Sequence, residues 1–148
     1  MLSGRLTTAA ISLCCVLLLP PVLAVAADDA EPIVVRDPHY GEVLFYFYQE
    51  DYFPAIVRLL AAQSQSQLEN HAEQSELLLG GMYLSYGHHL EAARIFERLL
   101  ANNVNPEIRD RTWFFLAKIW KQRGYLDESQ QALDRIEGEL PDNLQREA

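Results

Sequence analysis

Apolar residues recur every three or four positions through most of the chain after residue 37, and polar or glycine-bearing breaks divide them into six stretches. That spacing places the apolar side chains on one face of a helix. Helices are therefore predicted over 38–50, 52–62, 72–86, 90–101, 106–123 and 127–137, paired into three hairpins. Asp37 ahead of Pro38, and Asn105 ahead of Pro106 and Glu107, each supply a side-chain acceptor followed by a ring that presets φ, the combination that starts a helix. Gly87 and Gly124 stand at the turns inside two hairpins, where glycine takes a positive φ at least cost, and Glu50 stands at that place in the first. The Gln-rich piece at 63–67 reads as a polar connector.

The hairpins are copies of one another, offset by 37 residues. Tyr46, Tyr83 and Trp120 align, as do Ala55, Ala92 and Ser129, then Leu59, Phe96 and Leu133, then Ala62, Leu99 and Ile136. A period of this size marks stacked units, each burying its apolar face against its neighbours. Gly80 and Ala117 on first helices, opposite Ala92 and Ser129 on second helices, are small where two helices approach closely. Large residues at Tyr83, Trp120, Phe96 and Leu133 are expected to fill the surrounding core, and Trp113, Phe114 and Phe115 read as packing residues too.

The aligned columns resemble a known family. In the third unit Trp113, Leu116, Ala117, Trp120, Gly124, Ser129, Leu133 and Pro141 match tetratricopeptide repeats in spacing and type. The second unit matches through Leu79, Gly80, Tyr83, Gly87, Ala92, Phe96 and Leu99. The first keeps Tyr46, Asp51, Tyr52, Ala55, Ile56, Leu59 and Ala62, with Glu42 and Val43 in the leucine and glycine columns. The family period is about 34, so the extra residues here lengthen the connection between units, as in exported bacterial members of the family. The resemblance implies an all-α fold: an α-solenoid of about three helical hairpins whose first helices line a concave groove. The non-core faces of those helices carry Tyr40, Leu44, Phe47 and Tyr48, then Leu77, Gly81 and Leu84, then Arg111, Lys118 and Lys121. An aromatic and aliphatic floor thus runs toward a basic end. Such a surface suits an extended or helical peptide, with the bases holding an acidic side chain or a terminal carboxylate.

The first 27 residues change where this module is expected to work. Arg5 is their only charge, an apolar run extends from Ile11 to Leu19, and Ala24, Val25 and Ala26 form an A-x-A cleavage site after Pro20 and Pro21. This is the pattern of a secretory signal peptide, too short to span a bilayer. The expected organisation is a signal peptide at 1–27, an extended leader at 28–37, repeats over 38–141 and a short tail at 142–148. A periplasmic or secreted product follows, with a lipid-anchored form the weaker reading because Leu13 precedes Cys14. Cys14 and Cys15 leave with the signal, so neither a disulfide nor a cysteine metal site is expected.

The formal charge of −9 argues against nucleic acid, whose phosphates demand a basic footprint. Arg109, Arg111, Lys118, Lys121 and Arg123 form a local exception around Asp110, read either as a docking site for an acidic partner or as a solvated helix face. His88 and His89 adjoin at a turn and lack the i, i+4 spacing of paired metal ligands, and no nucleophile-elbow, phosphate-loop or dinucleotide fingerprint occurs. The expectation is a non-enzymatic interaction scaffold without cofactor or metal, binding a protein or peptide partner, an acidic one included. Two alternatives stand beside it: a small-ligand or glycan binder using the aromatics near Tyr40, Tyr48 and Tyr83, and the N-terminal part of a longer repeat array. Leu126, Leu133 and Ile136 lie where a following helix would pack, so self-association or a partner is expected at the C-terminal face.

Overall fold

The computed structural model describes residues 34–146, and among these the protein is all-helical with no strand. The expected signal peptide and most of the leader lie outside the described residues. In chain order come α1 (Pro38–Tyr48), α2 (Tyr52–Ser64), a single 3-10 turn at Glu69–His71, α3 (Ala72–Ser85), α4 (His89–Ala101), α5 (Pro106–Gln122), α6 (Leu126–Leu133) and α7 (Asp142–Gln145). The helices pack as hairpins, α1 with α2, α3 with α4 and α5 with α6. Successive hairpins touch through α2 on α3 and through α5 on both α3 and α4.

The same turn closes each hairpin. Glu50, Gly87 and Gly124 take φ of 60°, 76° and 83°. The amide of the next residue then reaches back to the aromatic column: Asp51 N to Tyr46 O at 3.0 Å, His88 N to Tyr83 O at 2.9 Å and Tyr125 N to Trp120 O at 2.9 Å. This six-residue bond satisfies carbonyls that the helix end leaves open, and it needs a left-handed residue at the corner. Glycine supplies that conformation freely, whereas Glu50 adopts it at a cost of about 1–2 kcal/mol. The repeat is therefore written in backbone geometry as well as in side-chain type.

One buried cluster runs from Tyr40 and Val43 in α1 through α2, α3 and α4 to Leu116 and Ile119 in α5. The small columns behave as expected: Gly80, Ala92, Ala117 and Ser129 are buried, and the Ser129 hydroxyl donates to Ala117 O across the last hairpin at 2.9 Å. Phe96 is fully buried and stacks on Phe115 with ring centroids 5.4 Å apart. Tyr83, Trp113, Trp120 and Leu133 are only half-buried, packing against the core from its rim. A smaller cluster at the C-terminal end joins Phe114, Leu140 and Leu144 with Phe115, Leu133 and Ile136 around them.

Two local expectations are corrected. Asp37 precedes α1 without capping it through its side chain. Its carboxylate instead accepts from Asn70 N at 3.0 Å and Asn70 Nδ2 at 2.6 Å, and lies 3.0 Å from His71 Nδ1. This ties the start of α1 to the 3-10 turn before α3, a stronger use of a buried carboxylate than a cap. α6 ends at Leu133 instead of near 137, because the short bonds Arg135 N to Ala132 O and Ile136 N to Leu133 O tighten the chain. Buried Asp110 then captures Gly138 N at 2.7 Å. In the short tail Asp142–Gln145 forms one helical turn that seats Leu144 in the end cluster.

Candidate functional site

The 37-residue offset also sorts the polar and apolar residues of the first helices into two faces. Tyr40, Leu77 and Phe114 align on one face, with Leu44, Gly81 and Lys118 and then Tyr48, Ser85 and Gln122. Gln74 aligns with Arg111 on the other, and Leu78 with Phe115. Between α1, α3 and α5 these faces converge on a groove of about 510 Å³. Its walls include Tyr40, Leu44, Phe47 and Tyr48 from α1, Gln74, Leu77, Leu78, Gly81 and Ser85 from α3, and Glu107, Arg111 and Phe115 from α5, with Val34, Tyr52 and His71 at its edges. The volume falls within the range of sites that enclose a ligand or a short peptide segment.

The groove is apolar along α1 and polar along α5. Tyr40 is buried and stacks on His71 with centroids 4.6 Å apart. Burial pushes its hydroxyl up to about 12, against the opposing pull of Arg111 nearby, so it is a neutral donor at any ordinary pH. Tyr48 is 66% exposed and stands at the mouth. Phe47 is wedged against Tyr52, centroids 5.6 Å apart, and so fixes the floor. Arg111 is the one guanidinium among the groove residues. Its Nη1 forms an ion pair with Glu107 Oε1 at 3.5 Å, the outer limit of a hydrogen bond, and its Nε is buried with no hydrogen-bond partner. An unpartnered buried donor costs roughly 1–3 kcal/mol.

Seven of the ten residues expected from the sequence are thus brought together: Tyr40, Leu44, Phe47, Tyr48, Leu77, Gly81 and Arg111. The other three are not. Leu84 is half-buried and packs against the main core, away from the groove walls. Lys118 and Lys121 line a separate slot of about 280 Å³ between α5 and α6, with Phe114, Ala117, Gln122, Ser129 and Leu133. They fall there because Lys118 holds in α5 the place Gly81 holds in α3, on the face turned away from the preceding hairpin. Sequence reasoning missed His71, Gln74, Glu107 and Phe115. Applying the offset to Arg111 and Phe115 would have found Gln74 and Leu78, the matching residues of the second face.

The basic cluster is dispersed by the fold. Arg109 pairs with Asp110 at 3.0 Å and Glu137 at 2.8 Å, which raises its pKa further, and Arg123 lies over the Tyr125 ring at 5.3 Å. A wider cleft of about 700 Å³ beside Asn102–Asn105 contains Arg109 and Arg135. Arg109 is already neutralised by its two carboxylates, and Arg135 faces the Trp113 ring at 5.4 Å. No group of three His, Cys, Asp or Glu among the described residues is gathered closely enough to hold a metal ion. No described helix is long and apolar enough to cross a membrane. No protein-family model, curated protein or solved structure matches the chain.

Proposed function

We propose that this chain is an exported scaffold, an α-solenoid of three tetratricopeptide-like hairpins that holds a segment of an envelope protein in the groove between α1, α3 and α5. In this reading the protein is not an enzyme and needs no cofactor. The observation that carries it is the pairing of an aromatic floor with one guanidinium, Arg111, which is held beside it only by a long 3.5 Å contact to Glu107. Half-buried Leu44 and Phe47 offer apolar surface over buried Tyr40 and Leu77, while half-buried Arg111 presents its guanidinium beside them. An extended peptide places an apolar side chain on the floor and an acidic side chain or carboxylate on Arg111, with Tyr48 closing over it.

A peptide array probed with the full chain tests this. Bound sequences should pair an aromatic or aliphatic residue with an acid, and the affinity should fall with added salt as the exposed part of the contact is screened. Arg111→Ala should weaken binding by about 10- to 100-fold, the equivalent of the roughly 1.5–3 kcal/mol that a hydrogen bond to a charged group contributes. Its helical circular dichroism should match the parent. Retained peptide binding by Arg111→Ala would remove Arg111 from the mechanism, and binding to a glycan array with none to peptides would replace this reading with that of a carbohydrate-stacking groove.

A further inference from the structure

Among the described residues, the repeat leaves one helix-binding surface in the series without a helix over it. α5 lies across the pair α3 and α4, with Phe115 stacked on Phe96 at 5.4 Å and 11°, and Leu77, Gly80, Ala92 and Phe96 are all buried there. The residues 37 positions further on are Phe114, Ala117, Ser129 and Leu133. These four line the slot between α5 and α6. The fold thus builds, on its last hairpin, the same receiving surface that α5 fills on the one before. α7 stops one end of it, where Leu140 and Leu144 pack against Phe114 and Leu133. A single turn does not reach the rest.

The rim of the slot is what changes between the two copies. Gly81 and Leu84 in α3 are replaced by Lys118 and Lys121 in α5, so the second surface carries positive charge where the first carries none. We propose that this slot receives an amphipathic helix of another protein. That helix sets a Phe- or Leu-sized side chain over Leu133, as Phe115 sits over Phe96, and turns acidic residues toward Lys118 and Lys121. Two copies of this chain pairing through the same face would bring one lysine rim against the other, which disfavours a second copy as the occupant. The slot is separate from the groove that contains Arg111, so either site stands without the other.

The probe is a fluorescein-labelled peptide with the α5 sequence, 106–122, carrying Arg109→Glu, Arg111→Glu, Lys118→Glu and Lys121→Glu. Fluorescence anisotropy with the full chain should show saturable binding of this acidic helix and at least tenfold weaker binding of the unaltered basic peptide. In the protein, Lys118→Glu combined with Lys121→Glu should reverse that preference. Gln122→Trp, made at an exposed position on the slot wall, should block both peptides, while Arg111→Ala should leave the acidic peptide's affinity unchanged. Circular dichroism of each protein variant should match the parent. The proposal is overturned if the acidic peptide does not bind, or binds the parent and the slot variants alike. It is also overturned if light scattering finds a parent dimer that Gln122→Trp dissociates.

Discussion

Gly80 and Gly81 are neighbours in α3, and alanine at the two positions should shift stability in opposite directions. Either substitution gains about 0.8–1 kcal/mol of helix propensity, because glycine loses more backbone freedom on folding. At Gly81 nothing lies within 4 Å of an added Cβ, so the gain stands. At Gly80 the added carbon falls 2.7 Å from Phe96 Cζ and 3.0 Å from Cδ1, and closer still to Cε1. That ring is fully buried and stacked on Phe115, so making room means moving two aromatic rings and the contact between α4 and α5. Overpacking of this kind costs about 1–3 kcal/mol, and three close ring atoms place it in the upper part of that range. Gly80→Ala should therefore lose about 1–2 kcal/mol net, some 2–3 kcal/mol away from Gly81→Ala. Urea unfolding followed by circular dichroism, with an unchanged denaturant slope, reads both values. The repeat also supplies the rescue. Ala117 and Leu133 are the aligned pair in the last hairpin, and Gly80→Ala with Phe96→Leu rebuilds that pair in the middle one. The double variant should be less destabilised than the sum of its parts by about 1 kcal/mol or more. Single variants of the same sign and size, or strict additivity in the double, would refute the packing argument.

Two further perturbations follow from other parts of the chain. The Asp37 carboxyl is held below its ordinary 3.8, first by the Asn70 side chain and then by His71 and the Asn70 amide, with burial opposing. A depressed acid stabilises the fold above its unfolded pKa, and the contribution is lost as pH falls through the folded value. Asp37→Asn should thus cost stability at about pH 7 and cost progressively less as pH falls below the ordinary 3.8 and through the folded value, and a loss of equal size across that whole range would show that the carboxylate charge is not what ties α1 to the turn before α3. Intact-mass analysis of the protein recovered after expression in a secreting host should find a chain beginning at Ala27 or Asp28, whereas soluble cytoplasmic protein retaining Met1 would remove export from the proposal.

The helices were legible because their signals are local. Apolar spacing, the Asn105–Pro106 start and the glycine corners at Gly87 and Gly124 each act within a few residues, and α3, α4 and α5 lie within a residue of their expected limits. Asn105 does cap α5, its side chain accepting from Glu107 N at 2.9 Å. Asp37 carries the same local sequence logic and does something else, because Asn70 and His71 are brought to it by the chain 33 and 34 residues later. The chain after the early end of α6 is likewise held by a distant group, the Asp110 carboxylate that reaches Gly138 across the last hairpin. Glu50 shows the converse. Its type argues against a left-handed corner, and the repeat imposes one all the same, because Asp51 N must reach Tyr46 O as its counterparts do.

The groove was legible only in part, for a reason that lies in helix geometry. Grouping Arg111, Lys118 and Lys121 as one basic end treats seven- and ten-residue separations on α5 as a single stripe. That holds for a surface seen alone, since residues 3.5 apart per turn share a face. A helix lodged between neighbours has two working sides, however, and at about 100° per residue Lys118 lies about 20° and Lys121 about 80° round from Arg111, while Phe115 lies about 40° the other way, which is enough to divide them. Arg111 and Phe115 fall toward α3, while Phe114, Lys118 and Lys121 fall toward the open end. The offset of 37 contains this information, because Gln74 and Leu78 predict the first side and Leu77 and Gly81 the second. Charge alone does not. The consequence is that a pull-down weakened by reversing both lysines would report on the end slot and not on the groove. Arg111→Ala is the variant that separates them, and any partner whose binding depends on both Arg111 and Lys121 must be long enough to pass from one side of α5 to the other.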